Sequence, residues 1–211
     1  MSAFLGNIHF WLYNKIQIEE TILDEIILYV NNKGYNSAKI YDEAILNFGK
    51  AERGELEDVI DQGNIHGWLQ SKIASVESRI AFILTGLLKE NVLDEIEINH
   101  IFQKQGEITG RKVKDAVKTS DYSLPQGVFN LIYDNLLAGM PCDRVNEVIT
   151  NDNEKIVWRK SIDVHKQYWE NVNGDVAVFH NAINTWTKGF VSNFNSFRFY
   201  IDDKNYSIER R

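Results

Sequence analysis

The side chains best suited to chemistry in this chain come in pairs. His9, Trp11, Lys15 and Glu20 recur as His66, Trp68, Lys72 and Glu77, always 57 residues on. Between 6–20 and 63–77, nine of fifteen aligned positions are identical, where chance gives about one. A repeat of this kind tends to build a two-fold site from two copies of each side chain. Two imidazoles with two carboxylates are a ligand set for a metal ion, and two imidazoles alone can hold a haem iron. Two lysines beside two indoles can hold an anion in an aromatic-lined cleft.

Helical geometry sharpens these options. On a helix, His9 and Glu20 differ by only ~20° around the axis and lie ~16 Å apart along it. Ile16, Leu23 and Ile27 share their stripe, as Ile73, Ile80 and Leu84 share that of His66 and Glu77. A polar group on such an apolar face needs a partner, or it costs about 1–3 kcal/mol. If the two helices run antiparallel, His9 faces Glu77 and His66 faces Glu20, giving two structural pairs that fix the helix register. If they run parallel, the histidines meet and the glutamates meet. Only the parallel case offers a bis-histidine haem site or a shared metal site of His9, Glu20, His66 and Glu77. Neither long helix carries the Glu-x-x-His, His-x-x-x-His or His-Glu-x-x-His spacing of common metal sites. The antiparallel arrangement is therefore the expectation. Trp11 with Lys15, and Trp68 with Lys72, are four apart on one face. Their simplest role is lysine stems packed over indoles.

A second group of reactive side chains lies beyond the repeats. Cys142 follows Pro141, and proline favours the first position of a helix. A helix over 141–150 would set the thiol at an N-terminus, where the dipole stabilises a thiolate. A nucleophilic cysteine also needs a base, for which His165 and His180 are the candidates. Asp143 beside it opposes a second negative charge, and a buried, inert cysteine is the alternative. His165, Tyr168, Trp169, His180 and Trp186 would line a pocket for a small, flat or acidic ligand, or form a core beneath a sheet.

The elements that must position these residues are mostly helices. The repeat units span 6–60 and 63–117. Asn7 and Asn64 are expected N-caps, and Asn32-Lys33-Gly34 supplies a stop. The first unit then reads as helices over 7–32 and 37–48 with a short third near 56–60, and the second as helices over 64–90, 93–105 and 111–118. Residues 119–127 form a linker leading into a C-terminal region, 119–211. There, helices are expected at 126–138, 141–150 and 175–192. A strand is expected at 155–164, where apolar and polar residues alternate. The tail 197–209 reads as a hairpin turning at Asp202–Asn205. The fold class is α+β, mainly α: a duplicated helical-hairpin half, 1–118, packed with a C-terminal region bearing a small antiparallel sheet.

Composition narrows the function classes. The chain has 211 residues, a net charge of −7 and one cysteine. That charge gives no basic excess to displace counterions from nucleic acid or an anionic membrane. No apolar run approaches the ~20 residues that span a bilayer, and no secretory signal opens the chain. A single cysteine excludes an intrachain disulfide, and a cytoplasmic setting fits best. No phosphate-binding glycine loop or nucleophile elbow is present. The leading expectation is a small-ligand-binding or regulatory protein, with Trp11, Lys15, Trp68, Lys72 and Trp169 near a site where the repeats meet the C-terminal region. The alternatives are a hydrolase or group-transfer enzyme using Cys142 with His165 or His180, a metal or haem protein using His9, Glu20, His66 and Glu77, and a homodimer joined through exposed tryptophan faces.

Overall fold

In the computed structural model, which describes residues 5–211, the chain is α+β and mainly α. It divides into two compact units. One runs to Glu95 and adds His165–Val176; the other comprises Ile96–Val164 and Ala177–Arg211. Residues 63–117, expected as the second repeat unit, therefore have parts in both.

The first unit is built on two long helices, α1 (Asn7–Asn32) and α4 (Ile65–Lys89). Leu12, Ile16, Leu23, Ile26 and Val30 recur at helical spacing along α1 and are buried, as are Leu69, Ile73, Val76, Ile80, Ile83 and Leu87 along α4. Asn64 caps α4 as expected, its side chain accepting from the Gly67 N–H at 3.1 Å. Asn7 does not cap α1. It is the first helical residue, and Gly6 holds the cap position with its N–H donated to Nδ1 of His9 at 3.0 Å. The imidazole there does the work that a capping carboxylate usually does. α1 stops at Lys33-Gly34, where Gly34 takes a positive φ of 90°. Between the long helices come α2 (Ala38–Phe48) and the short α3 (Leu56–Val59). α2 packs on α4 through Ile40 and Ala44. The late segment α7 (Lys166–Glu170) also packs on α4, burying Tyr168 and Trp169.

The second unit contains α5 (Glu95–Ala116), α6 (Pro125–Asn135), α8 (Val176–Ser192) and the sheet. The expected break between 105 and 111 does not occur, and α5 is continuous. Gly106 and Gly110 are there for contact, not to end the helix. A Cβ on Gly106 would lie 2.0 Å from the carbonyl oxygen of Trp186 on α8, and one on Gly189 of α8 would lie 2.2 Å from that of Gln103 on α5. The two backbones touch, and only glycine permits it. Trp186, Phe190 and Phe194 stack in succession beside this crossing, at ring separations of 5.3 and 5.6 Å.

The sheet has four strands rather than three segments. They are β1 (Asn146–Asn151), β2 (Lys155–Lys160), β3 (Phe197–Asp202) and β4 (Asn205–Arg210), in the order β1-β2-β4-β3 and antiparallel throughout. β1 occupies the second half of what the sequence suggests as a helix over 141–150. Val148, Ile149 and Thr150 are consecutive β-branched residues that suit a strand better than a helix. The hairpin of β3 and β4 turns where expected, with Asp203 at φ 51°. α6 covers one face of the sheet, with Phe129 edge-on to Trp158 at 4.9 Å.

The α5–α8 crossing yields a test. Gly106→Ala gains helix propensity of roughly 1 kcal/mol but forces two backbones apart. We expect a net loss of about 1–3 kcal/mol in urea denaturation.

Candidate functional site

The repeat helices of the first unit run parallel. Nε2 of His9 lies 3.4 Å from Nε2 of His66 near the start of both helices. Further along both, Glu20 on α1 meets Arg79 on α4. This overturns the expected antiparallel pairing: His9 does not meet Glu77, nor His66 Glu20. Of the aligned pairs, His9 and His66 come side by side instead. The histidine pair is exposed. Nδ1 of His9 accepts from the Gly6 N–H, which leaves the ring proton on Nε2, directed at His66. A metal-bound histidine commonly has the reverse arrangement, donating its distal N–H. The geometry is that of a His–His hydrogen bond. Among the described residues, no three His, Cys, Asp or Glu side chains converge as a metal set.

Deeper in α1 and α4 lies a buried ionic cluster. Arg79 grips Glu20 with two parallel hydrogen bonds, Nη1 to Oε2 at 3.0 Å and Nη2 to Oε1. Both side chains are buried, and a two-pronged guanidinium is the cation that satisfies a carboxylate best there. Arg53 adds a bond from Nη2 to the Glu20 carbonyl at 3.3 Å and holds Asp24 at 2.5 Å. Glu77, the repeat equivalent of Glu20, bonds Nδ1 of His165 at 2.8 Å. His165 precedes α7, so this buried pair ties α7 to α4.

Glu19 is the third buried carboxyl, and neither of its oxygens has a hydrogen-bond partner. Burial first, and then Glu77 and Glu20 nearby, push its carboxyl well above the usual range. Glu19 and Arg79 went unread in the sequence. The available signal was asymmetry at repeat positions: Arg79 stands where the first copy has Ile22, and Glu19 where the second has Val76.

The tryptophan–lysine pairs are packed elements. Lys15 is buried, with Nζ 3.5 Å from the Trp11 ring centre. Lys72 lies 5.1 Å from the Trp68 ring and bonds Glu52 at 3.2 Å. Tyr13 lies against Trp68 at 5.9 Å and donates its hydroxyl to the Gly54 carbonyl at 2.9 Å. These contacts strap the 49–55 loop onto α1 and α4. Trp169 is fully buried.

In the second unit, a recess of about 300 Å³ opens at the hairpin end of the sheet. Lys160, Asp163, His180, Lys204 and Tyr206 line it, with Ser161, Ile162 and Asp203. Nε2 of His180, on α8, lies 3.1 Å from Oδ2 of Asp163, both about one-third exposed. Burial and the Asp163 charge hold the Tyr206 phenol above its ordinary range. The Ser161 hydroxyl is engaged by the carbonyls of Arg144 and Val145. Of the sequence candidates only His180 is on this recess. Asp163, Lys160, Lys204 and Tyr206 join it because β2, β4 and α8 converge there, which sequence spacing does not reveal.

Cys142 is exposed in a three-residue 3₁₀ turn, Pro141–Asp143, and not at the start of a helix. The helix dipole invoked for its thiolate is therefore missing. Among the described residues no hydrogen bond joins it to His165 or His180, which are held by Glu77 and Asp163. No protein-family model matches this chain, and no curated protein or solved structure shows significant similarity to it.

The Glu19 carboxyl gives a signed pH prediction. Its folded pKa is raised, so folding takes up a proton and stability falls as pH rises from the ordinary carboxylate range toward that folded value. Glu19→Gln keeps the shape without the charge. Denaturation from pH 5 to pH 8 should show a shallower decline for the variant, and greater stability than the wild type at pH 8.

Proposed function

We propose that the protein binds a small acidic ligand in the recess of its second unit, as a ligand-binding or regulatory protein. The observation that carries this reading is the recess itself. At about 300 Å³ it is at the lower end of small-molecule sites. Lys160 and Lys204 supply positive charge for an anionic group. The Tyr206 ring supplies a flat apolar wall, and the His180–Asp163 pair an oriented donor–acceptor edge. A flat carboxylate of benzoate size fits this lining in dimensions, with its charge turned to Lys160 and Lys204 and away from Asp163 and Asp203. The repeat residues act in this reading as scaffold.

A second reading keeps the same residues but assigns turnover. An imidazole oriented by a carboxylate is the arrangement a general base requires, which favours hydrolysis or group transfer centred on His180 and Asp163. Cys142 is not on the recess lining.

The test is a titration of the isotope-labelled full chain with benzoate and, separately, inorganic phosphate. Amide resonances of 160–163 and 203–206 should shift saturably, and Lys204→Ala should weaken the response about tenfold, by loss of one charge-assisted contact. Shifts spread over both units, or none, would contradict the site. Hydrolysis of p-nitrophenyl acetate that disappears in His180→Asn would favour the second reading.

A further inference from the structure

The sheet ends on two unequal edges. On β1 the register slips between Val148 and Thr150, a bulge of the kind that blocks pairing with another strand. β3 carries no such protection, since its register with β4 is unbroken from Phe197 to Asp202. Tyr200 and Ile201 stand 44% and 45% exposed on it, so two large side chains face solvent beside an open ladder.

The hydrogen-bond phase of β3 follows from its ends. The Arg211 N–H bonds the Ser196 carbonyl, and Asp202 faces Asn205 across a two-residue turn. Even-numbered residues therefore exchange hydrogen bonds with β4, and odd-numbered residues point their backbone groups outward. The outward groups of Phe197 are used within the chain, its N–H by Phe194 and its carbonyl by Nε of Arg211. Those of Phe199 and Ile201 face away from β4 and are available to a further strand.

We propose that β3 is a homodimer interface, pairing antiparallel with β3 of a second copy about a two-fold axis at Tyr200. The strand's own sequence is complementary in that register. Phe199 falls opposite Ile201 of the second copy, and both carry outward backbone groups, so each such pair exchanges two main-chain hydrogen bonds. On the opposite face Arg198 falls opposite Asp202 of the second copy, twice by symmetry. The Tyr200 rings meet at the axis. A two-fold contact is self-complementary by nature, and opposite charges at Arg198 and Asp202 are what a strand needs to pair with itself. The interface is short, so the dimer is weak and concentration-dependent.

Sedimentation of the full chain at rising concentration tests this. The wild type should pass from monomer to dimer by about 1 mM, as a small interface implies. Asp202→Arg turns both ionic pairs repulsive and should weaken the dimer about tenfold. It is the cleaner single variant, because Arg198 also faces Glu209 within its own chain. The exchange R198D/D202R restores opposite charges and should recover the dimer. A wild type that stays monomeric overturns the proposal. So does a dimer indifferent to Asp202→Arg, or one that the exchange fails to restore.

Discussion

The first unit depends on how it neutralises carboxylates inside its core. With α1 and α4 parallel, the buried carboxyls of Glu20 and Glu77 both lie near the buried carboxyl of Glu19. Three charged carboxylates could not share that space. Each is dealt with differently. Glu20 takes a two-pronged arginine, Glu77 bonds a histidine, and the Glu19 carboxyl is pushed toward its neutral form. Two of these solutions break the repeat. Arg79 replaces an isoleucine of the first copy, and His165 comes from a segment 88 residues away in sequence.

That last contact explains an oddity of the topology. Residues 165–176 lie well inside the C-terminal half of the sequence but belong to the first unit. The Glu77–His165 pair, the full burial of Trp169 and the packing of α7 on α4 hold them there. His165, a candidate base in the sequence, is buried here against Glu77. The repeat's Trp–Lys pairs are likewise spent on packing and on holding the 49–55 loop. His180 with Asp163 lies on the recess at the hairpin end of the sheet.

The sequence made the regular elements legible. The long helices, α8 and the β3–β4 hairpin follow from apolar periodicity and turn residues, and appear where expected. Three features were not legible, each for a physical reason. A glycine reads the same as a helix stop or as a contact notch, so α5 was divided at Gly106. Val148-Ile149-Thr150 are few enough that flanking helix signals outweighed them. The direction of α1 against α4 is seen in the His9–His66 and Glu20–Arg79 contacts, and spacing within the repeat does not specify it. The recess is hidden for a related reason: its lining comes from β2, the loop after it, α8, the hairpin turn and β4, and only His180 stands out alone.

The central claim is that the buried Glu20–Arg79 pair is structural and is what permits the parallel pairing. A double-mutant cycle in chemical denaturation tests it most directly. Arg79→Met strands Glu20 in the core and should cost about 3–5 kcal/mol, while Glu20→Leu with Arg79→Met removes both charges and should recover most of that loss. An Arg79→Met protein as stable as the wild type, or a double variant no better than the single, would contradict the account.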